Sequence, residues 1–199
     1  MSIYQTHLSL DIQKQLIVLI EEVVIKAPWM DPVTSSGGNM HLKSTSCGFY
    51  GWYSDSNGYH YTETHPITTK PWPRMPDLIE DLAIKLATDA GFSSFRPEVC
   101  HVNYYQGSEA KLGLHQDASE KTYKTPIVSI SLGDTAIFEI GGTYRGGPFR
   151  ELQLNSGDCI VFGGEHRLAY HGIKKIWPDT SNMIAKGGRY NLTIRQVDP

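Results

Sequence analysis

The sequence predicts an α+β fold that is mainly β: a double-stranded β-helix, or jelly roll, with N-terminal helices. Three observations carry this. Apolar residues recur at helical spacing only in the first ninety positions or so. From Pro97 onward the pattern changes to about eight short alternating stretches separated by turn signals. No repeat, charge run or low-complexity segment divides the chain of 199 residues, so 1–199 reads as a single domain, with a β core over 97–197.

Between Asp11 and Ala27, the residues Ile12, Leu16, Leu19, Ile20, Val23, Val24 and Ala27 define a helix. Asp11 is its expected N-cap and Pro28 its stop; its expected task is to cover a sheet. Residues 31–73 differ. They hold Gly37-Gly38, Gly48, Gly51 and Gly58, and the aromatics Phe49, Tyr50, Trp52, Tyr53, Tyr59, Tyr61 and Trp72. Short strands are expected around 39–46 and 59–62. Such a segment suits a mobile flap that stacks on a flat ligand, or equally a hairpin layer packed on the core. A second helix is expected over Pro76–Ala90, with Leu78, Leu82, Leu86 and Ala90 at i+4 steps and Gly91 beyond its end. Strands follow near 99–105, 110–117, 126–133, 135–140, 150–154, 158–163, 167–173 and 189–197.

Composition narrows the function classes. Hydrophobic residues make up 40 % and charged residues 20 %, ordinary for a soluble globular protein, and the formal charge is −3. That total gives no general electrostatic case for nucleic acid or a membrane; phosphate contact requires a local basic patch. The longest apolar run, Leu16 to Ile20, is too short to span a bilayer, and the N-terminus lacks the order of a signal peptide. Cys47, Cys100 and Cys159 are few and widely spaced, which suits buried thiols and a cytoplasmic location.

The chemistry-bearing stretch is Leu112-Gly113-Leu114-His115-Gln116-Asp117. In a strand, residues i and i+2 share a face, so His115 and Asp117 can reach one metal ion with Gln116 turned away. Tyr170-His171-Gly172-Ile173 offers a third ligand at the end of another apolar strand. Two histidines and a carboxylate leave positions open on non-haem Fe(II) for oxygen chemistry. His101 is the nearest rival to His171; His166 falls in a turn. In the last strand, Arg189, Asn191, Thr193 and Arg195 line one face while Tyr190, Leu192 and Ile194 line the other. A polar outer face would also alternate. Two arginines and an asparagine are, however, well suited to receiving a dicarboxylate, because guanidinium binds carboxylate through parallel hydrogen bonds. Asn103 and Tyr105 share a face of a neighbouring strand.

Asn103-Tyr104-Tyr105, Ala110 through Asp117, Pro126 through Gly133, Tyr170 through Ile173 and Arg189 through Gln196 together resemble the AlkB family. These are Fe(II)- and 2-oxoglutarate-dependent oxidative dealkylases of nucleic-acid bases. The resemblance is nearest to the bacterial DNA-repair members and runs from about Gly37 to Gln196. It implies that His115, Asp117 and His171 hold Fe(II). It implies that Arg195 grips the distal carboxylate of 2-oxoglutarate, that Arg189 lies by the iron-binding carboxylate and the cosubstrate, and that Asn103, Tyr105 and Asn191 add further cosubstrate contacts. Arg195 is thereby counted with the catalytic set. Trp52, Tyr59 and Tyr61 match the aromatics of a nucleotide-recognition lid over about 31–73. Arg145 matches a substrate-side arginine, and Lys111 and Gln116 lie where the family meets its substrate strand. One position departs: the bacterial members carry a second aspartate two residues after the iron-binding one, and here Ser119 stands, followed by Glu120, which could compensate.

The expected function is oxidative demethylation of bases such as 1-methyladenine and 3-methylcytosine in single-stranded DNA, with O2 consumed and formaldehyde released. Double-stranded DNA or RNA are further possible partners, no membrane is involved, and a monomer is expected. The alternatives are the same chemistry on RNA or a protein side chain, and a jelly roll that binds a metal or small acid without catalysis.

Overall fold

The computed structural model describes residues 3–34, 37–55 and 57–199. Two helices and twelve strands follow one another as β1 (Tyr4–His7), α1 (Leu10–Lys26), β2 (Lys43–Gly48), β3 (Gly51–Asp55), β4 (Gly58–Thr62), α2 (Asp77–Asp89), β5 (Val99–Tyr105) and β6 (Leu112–His115), then β7 (Ile127–Gly133), β8 (Thr135–Ile140), β9 (Arg150–Leu154), β10 (Asp158–Phe162), β11 (His171–Trp177) and β12 (Arg189–Arg195). A six-stranded sheet has the order β1-β10-β7-β12-β5-β2, and a four-stranded sheet the order β6-β11-β8-β9. All neighbours are antiparallel. Strands β3 and β4 form a separate hairpin. This is the mainly β jelly roll with helices that the strand spacing predicts.

The apolar periodicity of α1 and α2 places Leu16, Ile20, Val23, Ile79, Ala83 and Leu86 in one core. That core lies on a single face of the six-stranded sheet, against Val102, Val128, Ile130, Cys159, Leu192 and Ile194. A second core fills the space between the sheets, with Ile127, Phe138, Ile140, Ile160, Phe162, Ile173 and Ile176. Along β12, Tyr190, Leu192 and Ile194 therefore face the helices. Arg189, Asn191, Thr193 and Arg195 point the other way, between the sheets, and all are buried. The polar face of this strand is an interior one.

Several boundaries differ from expectation, each for a local reason. Ser9, not Asp11, caps α1: Ser9 is extended and its hydroxyl accepts from Ile12 N–H at 3.5 Å. The first helical residue, Leu10, faces solvent at 63 % exposure, which hides the start from an apolar pattern. The end of α2 follows its Gly91 signal. Gly91 adopts φ +93°, Gly91 N–H donates to Thr88 O and Phe92 N–H to Ala87 O, the two bonds of a Schellman cap. The four residues of β1 are too few for a periodic signal, yet they pair with β10. The strand expected over 39–46 lies at Lys43–Gly48, and β3 was not foreseen. His171 opens β11 rather than closing a strand over 167–173, because Gly164–His166 forms a 3-10 turn just before it. Asp117 lies two residues beyond the end of β6.

Gly172 sets how closely β6 approaches β11. A Cβ at this position would meet Leu112 O at 2.5 Å and Gly113 at 3.0 Å, at the register shift that follows the His171–His115 pair. Gly172→Ala is expected to displace His115 and lower Mn(II) affinity roughly ten- to a hundred-fold. Titration calorimetry measures this directly. The accompanying loss in urea stability should be smaller than the ~2–5 kcal/mol expected of a core truncation such as Leu16→Ala.

Candidate active site

Strand pairing brings His115 and His171 directly opposite each other, with ring centroids 4.5 Å apart. Asp117 curls back from the end of β6 to place Oδ1 3.5 Å from His115 Nε2 and Oδ2 3.7 Å from His171 Nε2. All three ligating atoms lie within 4.8 Å of one another, and among the described residues they form the one group of this kind. Each imidazole is oriented by its other nitrogen: His115 Nδ1 meets Gly113 O, and His171 Nδ1 meets Ala169 O, both at 2.9 Å. A carbonyl there holds the proton on Nδ1 and leaves the Nε2 lone pairs facing the shared point. The rival His101 is not in the cluster. It stacks on Trp52 at 4.7 Å and 25°, with both ring nitrogens buried and unpartnered.

The Asp117 carboxylate is buried and charged. Burial alone would raise its pKa. Arg195, then His115 and His171, outweigh burial and hold it well below the usual carboxylate range. Arg195 Nε sits 3.0 Å from Asp117 Oδ2. The N–H is not aligned with that oxygen, which makes no hydrogen bond and so keeps its lone pairs for a metal. Arg195 also donates to Tyr61 Oη at 2.7 Å, and Tyr61 donates to Glu120 Oε1 at 2.5 Å. Arg167 closes the network, donating to Glu120 Oε2 at 2.9 Å and to the Asp117 carbonyl at 2.8 Å.

This network corrects three expectations. Arg195, rather than Arg189, lies against the metal-binding carboxylate. Tyr61, opposite Trp52 in the hairpin, has its hydroxyl engaged by Arg195 and Glu120 and does not line the cavity as Trp52 and Tyr59 do. Glu120, next to the Ser119 that stands at the aspartate's position, lines the cavity, but its carboxylate is engaged by Arg167, Arg195 and Tyr61 rather than left as a free acceptor. Arg167 escaped the sequence reading because it sits in a turn with no periodic signal.

Arg189 occupies the other end of β12, opposite Tyr105 and Gly133. It is fully buried, donating to Asp134 O, Leu154 O and Ser131 Oγ, with Nε unpartnered. Among the described residues no carboxylate lies within the 4.0 Å of an ion pair. Burial draws its pKa down to about 10, so the guanidinium stays charged at neutral pH. Asp158 and Asp134 offset part of that burial cost from beyond ion-pair distance; a buried cation with no ion-pair partner gains further when an anion pairs with it. Nearby, Asn191 donates to Ser129 Oγ and Ile130 O, and accepts from Thr193 Oγ1. Asn103, Tyr105, Asn191 and Thr193 line the cavity beside the cluster; Arg189 itself does not.

That cavity measures about 610 Å³. Besides the three ligands it is lined by Trp52, Tyr59, Lys111, Ser119 and Arg145, the remaining expected substrate-side residues. Trp52 on β3 and Tyr59 on β4 lie diagonally across the hairpin, where Trp52 pairs with Tyr61 and Ser54 with Tyr59, and their rings stack at 5.5 Å and 23°. Arg145 lies over the Tyr170 ring at 5.5 Å. Gln116, between the two β6-side ligands, donates to Leu168 O at 2.5 Å and Thr143 O at 3.3 Å.

A jelly roll with a His-Asp-His cluster and, between its sheets, a buried arginine lacking a carboxylate partner is the arrangement expected of a 2-oxoglutarate-dependent Fe(II) oxygenase. Accordingly, the family model described as the 2OG-Fe(II) oxygenase superfamily matches residues 1–195. The chain is 43 % identical over 184 residues to the alpha-ketoglutarate-dependent dioxygenase AlkB of Escherichia coli (strain K12), covering 92 % of this chain and 84 % of that one. It is 32 % identical over 182 residues to the Arabidopsis thaliana protein named DNA N(6)-methyladenine demethylase ALKBH1C, covering 79 % of this chain and 39 % of that one. The solved structure of OsALKBH1 superposes with a TM-score of 0.81 at 30 % identity, over 98 % of this chain and 97 % of that one. The chain belongs to the AlkB family of these oxygenases. It is a dioxygenase that uses Fe(II), 2-oxoglutarate and O2, and the site fits them: Asp117 Oδ2 is an orphaned acceptor at the cluster and Arg189 a cation awaiting an anion.

Burial, then the charge of His115, draws His171 down to about 4; burial, then Arg195, draws His101 down to about 3. An unfolded histidine takes up its proton near 6.5, so between these values the unfolded chain binds more protons than the folded one. Stability of the metal-free protein is therefore complete above pH 6.5 and is lost as pH falls toward 4, on the order of 3 kcal/mol per histidine. Urea midpoints measured against pH test this. His101→Leu should flatten the profile.

Proposed function

We propose that this chain oxidatively demethylates N-alkylated bases such as 1-methyladenine and 3-methylcytosine in single-stranded DNA. The observation that carries this is the placing of the three ligands in a cavity with two aromatics, Trp52 and Tyr59, and two cations, Lys111 and Arg145. A flat, charged, phosphate-linked substrate suits that combination better than a peptide side chain does. The names of the relatives, one of them a DNA N(6)-methyladenine demethylase, support a nucleic-acid substrate.

When bound, iron and 2-oxoglutarate supply oxygen activation coupled to decarboxylation: one oxygen atom goes to succinate, with loss of carbon dioxide, and the other hydroxylates the methyl group, which departs as formaldehyde. The chain's own residues bind and orient. His115, Asp117 and His171 would hold Fe(II), with Arg195 keeping Asp117 anionic. Arg189, helped by Tyr105, Asn103 and Asn191, would receive the far carboxylate of 2-oxoglutarate. This exchanges the roles first expected of the two arginines, because only Arg189 lacks a carboxylate partner. Burial raises the Tyr105 phenol, so it remains a protonated donor at any working pH. Residues 31–73, through Trp52 and Tyr59, would act as the lid that stacks on the extruded base, worth roughly 1–3 kcal/mol per base. Lys111 and Arg145 would hold phosphates, so affinity should fall steeply with salt.

The deciding assay measures formaldehyde released from methylated oligonucleotides with Fe(II) and 2-oxoglutarate. Formaldehyde and succinate in equal amounts are expected, and neither from Asp117→Ala. Slow succinate without formaldehyde on any base of the panel would count against the substrate class. Ser119 offers a neutral hydroxyl in the cavity lining, where a carboxylate would favour a base amino group. RNA is therefore the second reading, and matched DNA and RNA oligonucleotides separate the two. Arg189→Met should raise KM for 2-oxoglutarate roughly thirtyfold or more, while Arg195→Met should act chiefly on metal affinity.

A further inference from the structure

The loop between β8 and β9 reads Gly141-Gly142-Thr143-Tyr144-Arg145-Gly146-Gly147-Pro148. Tyr144 is 64 % exposed, yet its ring is seated. A Cβ on Gly147 would meet ring carbons Cε2 and Cζ at 3.0 Å and the hydroxyl at 3.2 Å. A Cβ on Gly142 would meet Cε1 and Cδ1 at 3.6 and 3.8 Å. The ring thus packs closely over Gly147, where a side chain would crowd it, while the Gly142 side has room for a Cβ at ordinary contact distance.

The seat is braced on the metal site. Gly141 N–H donates to Tyr170 O at 2.8 Å and Tyr170 N–H to Gly142 O at 2.9 Å, immediately before His171. Gln116, between His115 and Asp117, holds the Thr143 carbonyl. Tyr144 does not line the cavity, but the next residue, Arg145, does, as does Lys111.

We infer that Tyr144 is a stacking platform for the unpaired base next to the one being demethylated, with Arg145 taking the phosphate between them. This rests on the nucleic-acid substrate proposed above. Exposed aromatic contacts are usually weakened by the rotamer freedom lost on binding. A phenol already packed over Gly147 has less of that freedom to lose. The adjoining cations select a phosphodiester chain over an apolar peptide, and every base offers a π-face, so the contact tolerates sequence. Inside a duplex both faces of a base are covered by its neighbours. The platform therefore favours single strands and frayed ends.

The test uses trinucleotides with a central 1-methyladenine and 2-aminopurine on one side or the other, bound with Mn(II) and 2-oxoglutarate without oxygen. Stacking quenches 2-aminopurine fluorescence. Quenching is expected at one of the two positions. Tyr144→Ala should relieve it and weaken binding roughly tenfold, while Tyr144→Phe should keep both. In turnover, Tyr144→Ala should raise KM for the trinucleotide with kcat unchanged, and leave KM for the methylated mononucleotide unchanged. No quenching at either position, equal quenching in Tyr144→Ala, or a parallel rise in both KM values would overturn the inference. Absence of formaldehyde from every methylated substrate would instead sink the demethylase proposal, while the fluorescence still reads Tyr144 independently.

Discussion

The structure depends on keeping one buried carboxylate charged. Asp117 must be anionic to hold a divalent cation, yet it sits between two sheets where ionisation is penalised. The remedy is a closed set of two carboxylates and two guanidinium groups, Asp117 and Glu120 with Arg195 and Arg167, joined through the Tyr61 hydroxyl. Its members come from the loop after β6, from the turn before β11, from β12 and from the hairpin β3–β4. Electrostatic neutrality at the site thus also holds four distant segments together.

The last strand then does two different things with two like residues. At one end of β12 Arg195 is committed to Asp117; at the other Arg189 has only neutral partners. Charge pairing within the protein is complete at the metal end and deliberately short by one anion at the far end. Under the proposed function, a keto acid with one carboxylate for the metal and a second for Arg189 would suit that imbalance.

Much of this was legible in the residues themselves. Period-two alternation in Arg189–Arg195 separated the polar from the apolar face, and the i, i+2 spacing of His115 and Asp117 with His171 on a second strand named the three ligands that the structure brings together. Which face was interior could not be read, since a solvent-facing strand alternates in the same way. The division of labour between Arg189 and Arg195 was hidden too. Six residues of strand separate their Cα atoms by about 20 Å, and which end meets the metal depends on how the second sheet packs. Tyr61 and Glu120 looked available as a lid ring and an acceptor. Their engagement is a tertiary fact, fixed by Arg167 and Arg195 from remote segments.

The two sheets are buttressed unequally. Both helices lie on the six-stranded one, while His115 rides on β6, a four-residue strand at the open margin of the smaller sheet. Its pairing to β11 is broken by a register shift just beyond His171. A cation bridging His115 and His171 would therefore work as a rivet, fastening the most weakly held margin of the barrel to its neighbour. Loss of iron and loosening of the substrate-side wall become a single event, so depletion of metal should silence the enzyme and expose it to proteolysis together.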